Sequence, residues 1–136
     1  MPTLNEARNS VYKRLIDNYV GVPYENITFD SEDFSNPVAD PWIRAAVRTN
    51  VTTQDTIGSI GNRIFRTKAT VYIQIFTSIN HGTRMGDILA IEASNLYNSV
   101  SFDGLNFFSS SIREMGAADK WYMHLVECDF SYDQIS

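Results

Sequence analysis

The sequence predicts a single α+β domain: a mixed, mainly antiparallel sheet with an N-terminal helix and a second helix packed on it. Two segments repeat apolar residues every three or four positions, which is the period of a helix with one buried face. Several others alternate apolar and polar residues, as half-buried strands do. A chain of 136 residues can bury a sizeable core as one domain. We therefore expect residues 1–136 to form one unit.

The first helix is predicted over residues 3–18. Thr3 and Glu6 have the spacing of a capping box, in which each side chain accepts a hydrogen bond from a backbone N–H at the start of the helix. Gly21 and Pro23 end the helix. The apolar stripe at helical spacing consists of Leu4, Ala7, Val11, Leu15 and Tyr19.

Residues 24–40 differ in character, because they are acidic and contain no Lys or Arg. We expect a short strand over 25–29 and then a long exposed loop, since like charges keep such a segment in solvent. The loop is either a solvated connection or an arm that becomes ordered on a partner. In the second interpretation its contact residues are Phe29, Glu32, Asp33 and Phe34.

Residues 42–51 alternate regularly and are predicted to form a half-buried strand. Arg44 and Arg48 share its solvated face with Trp42. The two arginines either pair with carboxylates across the sheet, which we favour, or contact the carboxylates of a partner. Trp42 and Trp121 begin two strands, where we expect them to pack at or near an interface.

The remaining elements are longer strands and a second helix. In order they are a polar loop over 52–62, the longest strand over 63–79, a helix over 83–98, a turn at 103–104, and strands over 105–114 and 121–132. The longest strand should be central, because bulky side chains occupy both of its faces. Thr83 is placed to cap the second helix, and Gly86 leaves room for tight packing in its first turn. One side of this helix carries Met85, Ile88, Leu89, Glu92 and Leu96, with Ile91 and Ala93 broadening the stripe.

Composition argues against several classes of function. The net charge is −5, whereas tight nucleic-acid binding relies on clustered Lys and Arg. The single cysteine cannot form an intrachain disulfide. The sequence starts without the features of a signal peptide, and no apolar run approaches the roughly 20 residues that span a bilayer. We expect a soluble protein made in the cytoplasm.

Catalytic residues, cofactors and metal ligands are not predicted. His81 and His124 lack a nearby set of Cys, His or Asp ligands in the sequence. Cys128 lies on an apolar strand face, where a thiol is usually inert. A Cys128–His124 dyad is disfavoured, because the two residues lie roughly 13 Å apart along the strand, too far for proton transfer.

Three stretches resemble the tail-terminator (minor tail) proteins of long-tailed bacteriophages. They are Arg66 with the strand VYIQIF and the turn NHGT before an apolar helix, the strand SSIREMG, and the strand DKWYMHLVECDFSYD. Together they lie within residues 60–133. The chain departs from the family pattern at Thr67, where Gly is expected, and at Thr77 and Ser78, where Pro is frequent.

The resemblance implies a structural protein without enzymatic activity. Its subunits would form a ring, typically a hexamer, that caps the tail tube, stops its polymerisation and offers a docking surface to the head connector or completion protein. The ring would belong to the virion tail and be assembled in the cytoplasm of the host bacterium, without membrane contact. DNA would pass through it without specific binding, which suits an acidic chain.

Three alternatives stay open. The first is another head–tail connector protein, such as a stopper or tail completion subunit. The second is a small cytoplasmic enzyme that uses Cys128 as its nucleophile. The third is a monomeric ligand-binding module, which would need a sizeable apolar pocket.

Overall fold

The computed structural model describes residues 3–30, 41–54, 56–79, 83–118 and 120–135. These residues form α1 (Leu4–Asn18), β1 (Ile27–Phe29), β2 (Trp42–Gln54), β3 (Ile64–Ser78), α2 (Arg84–Tyr97), β4 (Ser101–Phe102), β5 (Leu105–Ala118) and β6 (Trp121–Ile135). A short 3-10 turn, Tyr24–Asn26, stands before β1 where the sequence predicted the start of a strand. The predicted α+β class agrees with this architecture, in which the sheet is the larger part.

All six strands belong to one sheet, in the order β1-β2-β3-β6-β5-β4. β1 runs parallel to β2, and every other neighbouring pair is antiparallel. β3 pairs with β6 along its whole length and with β2 along nearly all of it, so the predicted central strand is confirmed. The middle of the sheet is therefore built from strands that are far apart in sequence.

The hydrophobic core lies between the two helices and one face of the sheet. α1 buries one side of its predicted stripe, and α2 packs beside it against β3, β5 and β6. The largest fully buried side chains are Val11, Leu15, Ile43, Val47, Val71, Ile73, Ile75, Tyr97, Leu105, His124, Phe130 and Tyr132. Because alternate residues of each strand point to this face, the other face of the sheet is left without a helix in the described part of the chain.

The start of α1 has the predicted capping box. The Thr3 hydroxyl oxygen accepts a hydrogen bond from the Glu6 N–H at 3.2 Å, and a Glu6 carboxylate oxygen accepts one from the Thr3 N–H at 3.4 Å. These bonds satisfy backbone donors that the helix itself cannot pair.

Two strands run further than the sequence predicted. β2 continues to Gln54 into the predicted loop, where the Thr52 and Thr67 hydroxyls lie 3.0 Å apart across the ladder. β5 continues to Ala118 past a register shift at Gly116, whose φ of +87° glycine adopts without strain. Pairing with long neighbouring strands thus overrides the weak local preference of these polar and glycine-bearing residues.

α2 forms as predicted, but it faces the sheet with a different side. Its buried residues are Gly86, Leu89, Ala90, Ala93 and Tyr97. The small side chains allow close approach to the sheet, whereas Met85, Ile88 and Ile91 lie exposed. Thr83 has helical dihedral angles and makes no side-chain capping bond, so its predicted role is wrong.

Candidate functional site

The two tryptophans form an aromatic cluster at one end of the helix-free face. The Trp42 ring stacks on Phe76 with centroids 4.0 Å apart, and Trp121 meets Trp42 edge-on at 6.1 Å. Trp42 is 4% exposed and Trp121 5% exposed. Their rings therefore pack within the chain, and little of either is left for the partner contact that the sequence suggested.

The two predicted arginines lie on the same face, beside a shallow polar depression of about 410 Å³. Arg48 Nη1 lies 2.6 Å from Asp30 Oδ2, so the interpretation that pairs it within the sheet is confirmed. The hydrogen bond from Arg48 lowers the pKa of the Asp30 carboxyl. Arg44 places its guanidinium 5.5 Å from the centre of the Trp42 ring.

Further pairs cross this face between β3, β5 and β6. Arg66 Nε lies 3.0 Å from Asp133 Oδ1, and Arg113 pairs with Glu127. The Thr70 hydroxyl donates a 2.6 Å hydrogen bond to Asp129. Because these pairs combine both signs of charge, the face is a mosaic of internal contacts and not a patch of one sign.

The predicted acidic arm is described only at its beginning. The Phe29 ring stacks on Tyr12 of α1, with centroids 4.3 Å apart, and is partly buried against the core. Phe29 thus holds β1 against α1. Glu32, Asp33 and Phe34 lie outside the described residues.

An apolar groove of about 640 Å³ opens beside the first turns of α2. It is lined by Gly21, Pro41, Arg84, Met85, Ile88, Leu89 and Glu92. Glu92 shapes one wall, because its carboxylate accepts hydrogen bonds from the backbone N–H groups of Val20 at 2.7 Å and Gly21 at 3.2 Å. The sequence did not predict the groove, because Met85 and Ile88 were placed together with Leu89 on the apolar side of α2 that was expected to be buried.

A second apolar surface is the hairpin tip, residues 56–63, which joins β2 to β3. Ile57 is fully exposed and Ile60 is 85% exposed. The tip lies directly before the start of β3. The groove is lined in part by Pro41, the residue before Trp42, and Trp42 pairs with Phe76 near the other end of β3. The two apolar surfaces are therefore separated by roughly 45 Å along β3, at about 3.3 Å per residue.

His124 is fully buried and has two acidic neighbours. Its Nε2 lies 2.8 Å from Asp87 Oδ1 of α2, and Glu114 of β5 stands opposite it across the ladder. One ligand atom from each of the three residues lies within 4.8 Å of the others. The sequence did not indicate this cluster, because α2, β5 and β6 bring together residues that lie far apart along the chain.

Cys128 lies in the core beneath α2. Its Sγ is 3.3 Å from the carbonyl oxygen of Phe108 and 3.6 Å from that of Tyr97. Burial, with a smaller contribution from the Asp129 charge, raises the pKa of the thiol to about 11. At neutral pH the thiol is therefore protonated and a poor nucleophile.

Neither α1 nor α2, the helices of the described ranges, has the length and apolar character needed to cross a bilayer.

Comparisons with known proteins identify the fold alone. A scan against protein-family models gives no match, and neither does a search of curated proteins. A solved structure with 17% sequence identity matches 100% of this chain and 99% of its own, with a TM-score of 0.71. Its name describes no function. The fold is thus shared with a protein of nearly identical extent.

Proposed function

We propose that this chain is a phage tail-terminator subunit, which forms a closed ring on the end of the tail tube. One observation carries the proposal from the structure: two different apolar surfaces, the groove beside α2 and the hairpin tip, lie exposed at opposite ends of β3. The sequence resemblance to tail terminators supplies the biological role.

Ring formation needs a heterologous interface, in which one patch of a subunit contacts a different patch of the next. The groove and the hairpin tip are such a pair in shape, since one is concave and the other protrudes. Ile57 and Ile60 provide large apolar side chains that water solvates poorly. The hairpin tip of one subunit therefore packs into the apolar groove of its neighbour, and a closed ring, expected to be a hexamer, buries both surfaces.

The helix-free face is suited to protein–protein contact and not to catalysis. Its charged side chains form pairs of opposite sign, such as Arg48 with Asp30 and Arg66 with Asp133. Cys128, the nucleophile of the competing enzyme hypothesis, is buried and protonated at neutral pH. In the ring, the tail tube protein and the head connector bind opposite rims, and DNA passes through the ring without specific binding.

The test is the solution mass, measured by light scattering over a concentration series, with and without purified tail tube. We expect a mass near six subunits, or a monomer that forms rings on tube ends. Ile88→Asp in the groove and Ile57→Asp at the tip should each reduce assembly. Ile91→Asp is the matched control, because Ile91 is an exposed isoleucine of the same helix outside the groove lining.

Two results would overturn the proposal. One is a strict monomer that ignores tube ends at every concentration. The other is assembly that responds equally to Ile88→Asp and Ile91→Asp, which would assign the contact to another surface.

A further inference from the structure

We infer that Asp87, Glu114 and His124 form a binding site for a divalent transition-metal ion, with Zn²⁺ as the best fit. This inference is independent of the proposed ring. Imidazole nitrogen and carboxylate oxygen are ligands that Zn²⁺ accepts, and three protein ligands leave a coordination position for water. The site lies where the first turn of α2 passes the ends of β5 and β6.

The spacing of the ligand atoms is compatible with one ion. Two ligands of a tetrahedral Zn²⁺ at about 2.0–2.1 Å from the metal lie roughly 3.4 Å from each other. In the structure His124 Nε2 and Asp87 Oδ1 are 2.8 Å apart, and all three ligand atoms lie within 4.8 Å of one another. Asp87 and Glu114 are exposed, so their side chains can move the remaining distance by rotation.

The position of His124 is fixed by Gly86. A Cβ atom at residue 86 would lie 2.2 Å from His124 Cε1 and 2.4 Å from Nδ1, so only glycine lets the ring pack this closely against α2. In this position Nε2 lies 2.8 Å from Asp87 Oδ1, with Glu114 opposite His124 across the ladder. The imidazole is therefore rigidly held, and the carboxylates supply the movable ligands.

His124 has no hydrogen-bond partner outside the cluster. Its side chain is 0% exposed, and Nδ1 makes no hydrogen bond to the described residues. Neither Asp87 nor Glu114 forms an ion pair with a Lys or Arg of the described chain. A divalent cation would neutralise both carboxylates.

Two features limit the affinity. Metal binding at Nε2 leaves the ring hydrogen on Nδ1, where it faces Gly86 and lacks the acceptor that strengthens most histidine ligands by roughly 10–100-fold. The N-terminus of α2 also carries partial positive charge, which opposes a cation. We therefore expect a micromolar dissociation constant and a chain that folds without metal.

The test is calorimetric titration of the intact chain with Zn²⁺, together with Co²⁺ titration followed by visible absorption. We expect one ion per chain. Glu114→Gln and Asp87→Asn replace exposed ligands without disturbing the core, and each should weaken binding at least tenfold. Asp17→Asn, an exposed carboxylate of α1, should leave binding unchanged.

Nitrogen-15 NMR of the histidine rings provides a readout that surface binding would not move. Zn²⁺ should shift the Nε2 resonance of His124. Exchange between the bound and unbound forms should also broaden this resonance during the titration. The inference is overturned if one equivalent of Zn²⁺ does not bind, if the Glu114→Gln and Asp87→Asn variants bind as the parent does, or if only the His81 ring responds.

Discussion

The hydroxyl of Tyr97 donates a 2.7 Å hydrogen bond to the backbone carbonyl oxygen of Val11, which joins the last turn of α2 to the middle of α1. A reciprocal bond runs from the Tyr19 hydroxyl, after α1, to the Leu89 carbonyl oxygen at 3.0 Å. Burial raises the pKa of both phenols above their ordinary value. Both therefore remain protonated donors, and the helix pair is fixed at two points.

Tyr97→Phe removes one of these points and should lower the free energy of unfolding by about 1 kcal/mol, the usual contribution of a neutral buried hydrogen bond. The Val11 carbonyl can still accept its bond within α1, which limits the loss. Urea denaturation measures the change. Tyr24→Phe is the matched control and should have no effect, because Tyr24 is 68% exposed. Equal stability of Tyr97→Phe and the parent would contradict this account.

Gly86→Ala should destabilise the chain even though alanine favours helices by about 1 kcal/mol over glycine. The new Cβ would overlap the buried His124 ring, and relieving such overpacking typically costs about 1–3 kcal/mol. Thermal unfolding provides the comparison. Asn95→Ala, at an exposed site of α2, reports the helix propensity without the clash and should stabilise slightly. A Gly86→Ala protein as stable as Asn95→Ala would show that the ring is not held against α2.

The raised pKa of the Cys128 thiol predicts that the chain loses stability at alkaline pH. Burial raises its thiol pKa from an ordinary value of 9.0 to about 11, so the unfolded chain loses this proton first. The stabilisation of the folded chain by this pKa difference is complete below pH 9.0 and disappears progressively as the pH rises to about 11. The total is about 3 kcal/mol. Denaturation midpoints of the parent and Cys128→Ala should converge or cross over this range.

Most of the contribution of the buried tyrosines cancels in that comparison, because burial is the main cause of their raised pKa values and Cys128 adds only a smaller charge effect on Tyr97. A difference between parent and Cys128→Ala that stays constant with pH would refute the assignment. Labelling by a thiol reagent should likewise be slow in the native protein and fast in denaturant, since the thiolate is scarce and Cys128 is covered.

Arg48→Ala tests the pair on the helix-free face. The pKa of Asp30 should rise in this variant, because the hydrogen bond from Arg48 is the main cause of its depression. Stability should fall by less than about 1 kcal/mol, since the Arg48 side chain is 55% exposed. This small contribution is present above the unfolded pKa of Asp30 and lost as the pH falls through the lower folded pKa.

NMR titration of the carboxyl groups measures the Asp30 pKa at residue level, and urea denaturation at a series of pH values measures the stability. Arg44→Ala is the control, because Arg44 acts on Asp30 only through weaker, longer-range charge. If both variants shift the Asp30 pKa equally, the direct Arg48 contact is not its cause.

Local signals predicted much of the fold. The Thr3–Glu6 capping box and the alternation on β2, β3 and β6 depend on neighbouring residues, which the sequence displays directly. The exposed side of α2 was not predicted, because Met85 and Ile88 are as apolar as the residues that the helix buries. The side of α2 that faces the sheet carries Gly86 and alanines, because close packing and not hydrophobicity determines which residues fit there.

The candidate sites were harder to predict than the elements. The groove depends on Glu92 binding two backbone N–H groups that lie some seventy residues earlier in the chain. Asp87, Glu114 and His124 meet only because β5 pairs with β6 while α2 crosses their ends. No spacing rule in the sequence encodes such meetings, since they depend on the order of strands in the sheet.

The placement of β6 beside β3 has a consequence for synthesis on the ribosome. β2 and β3 can form their hairpin early, but the other edge of β3 stays without its partner until α2, β4, β5 and β6 have been translated. During that interval a long strand with apolar residues presents open backbone donors and acceptors, which favour pairing with other chains. The nascent protein is therefore most exposed to mispairing in the interval before β6 emerges and occupies that edge.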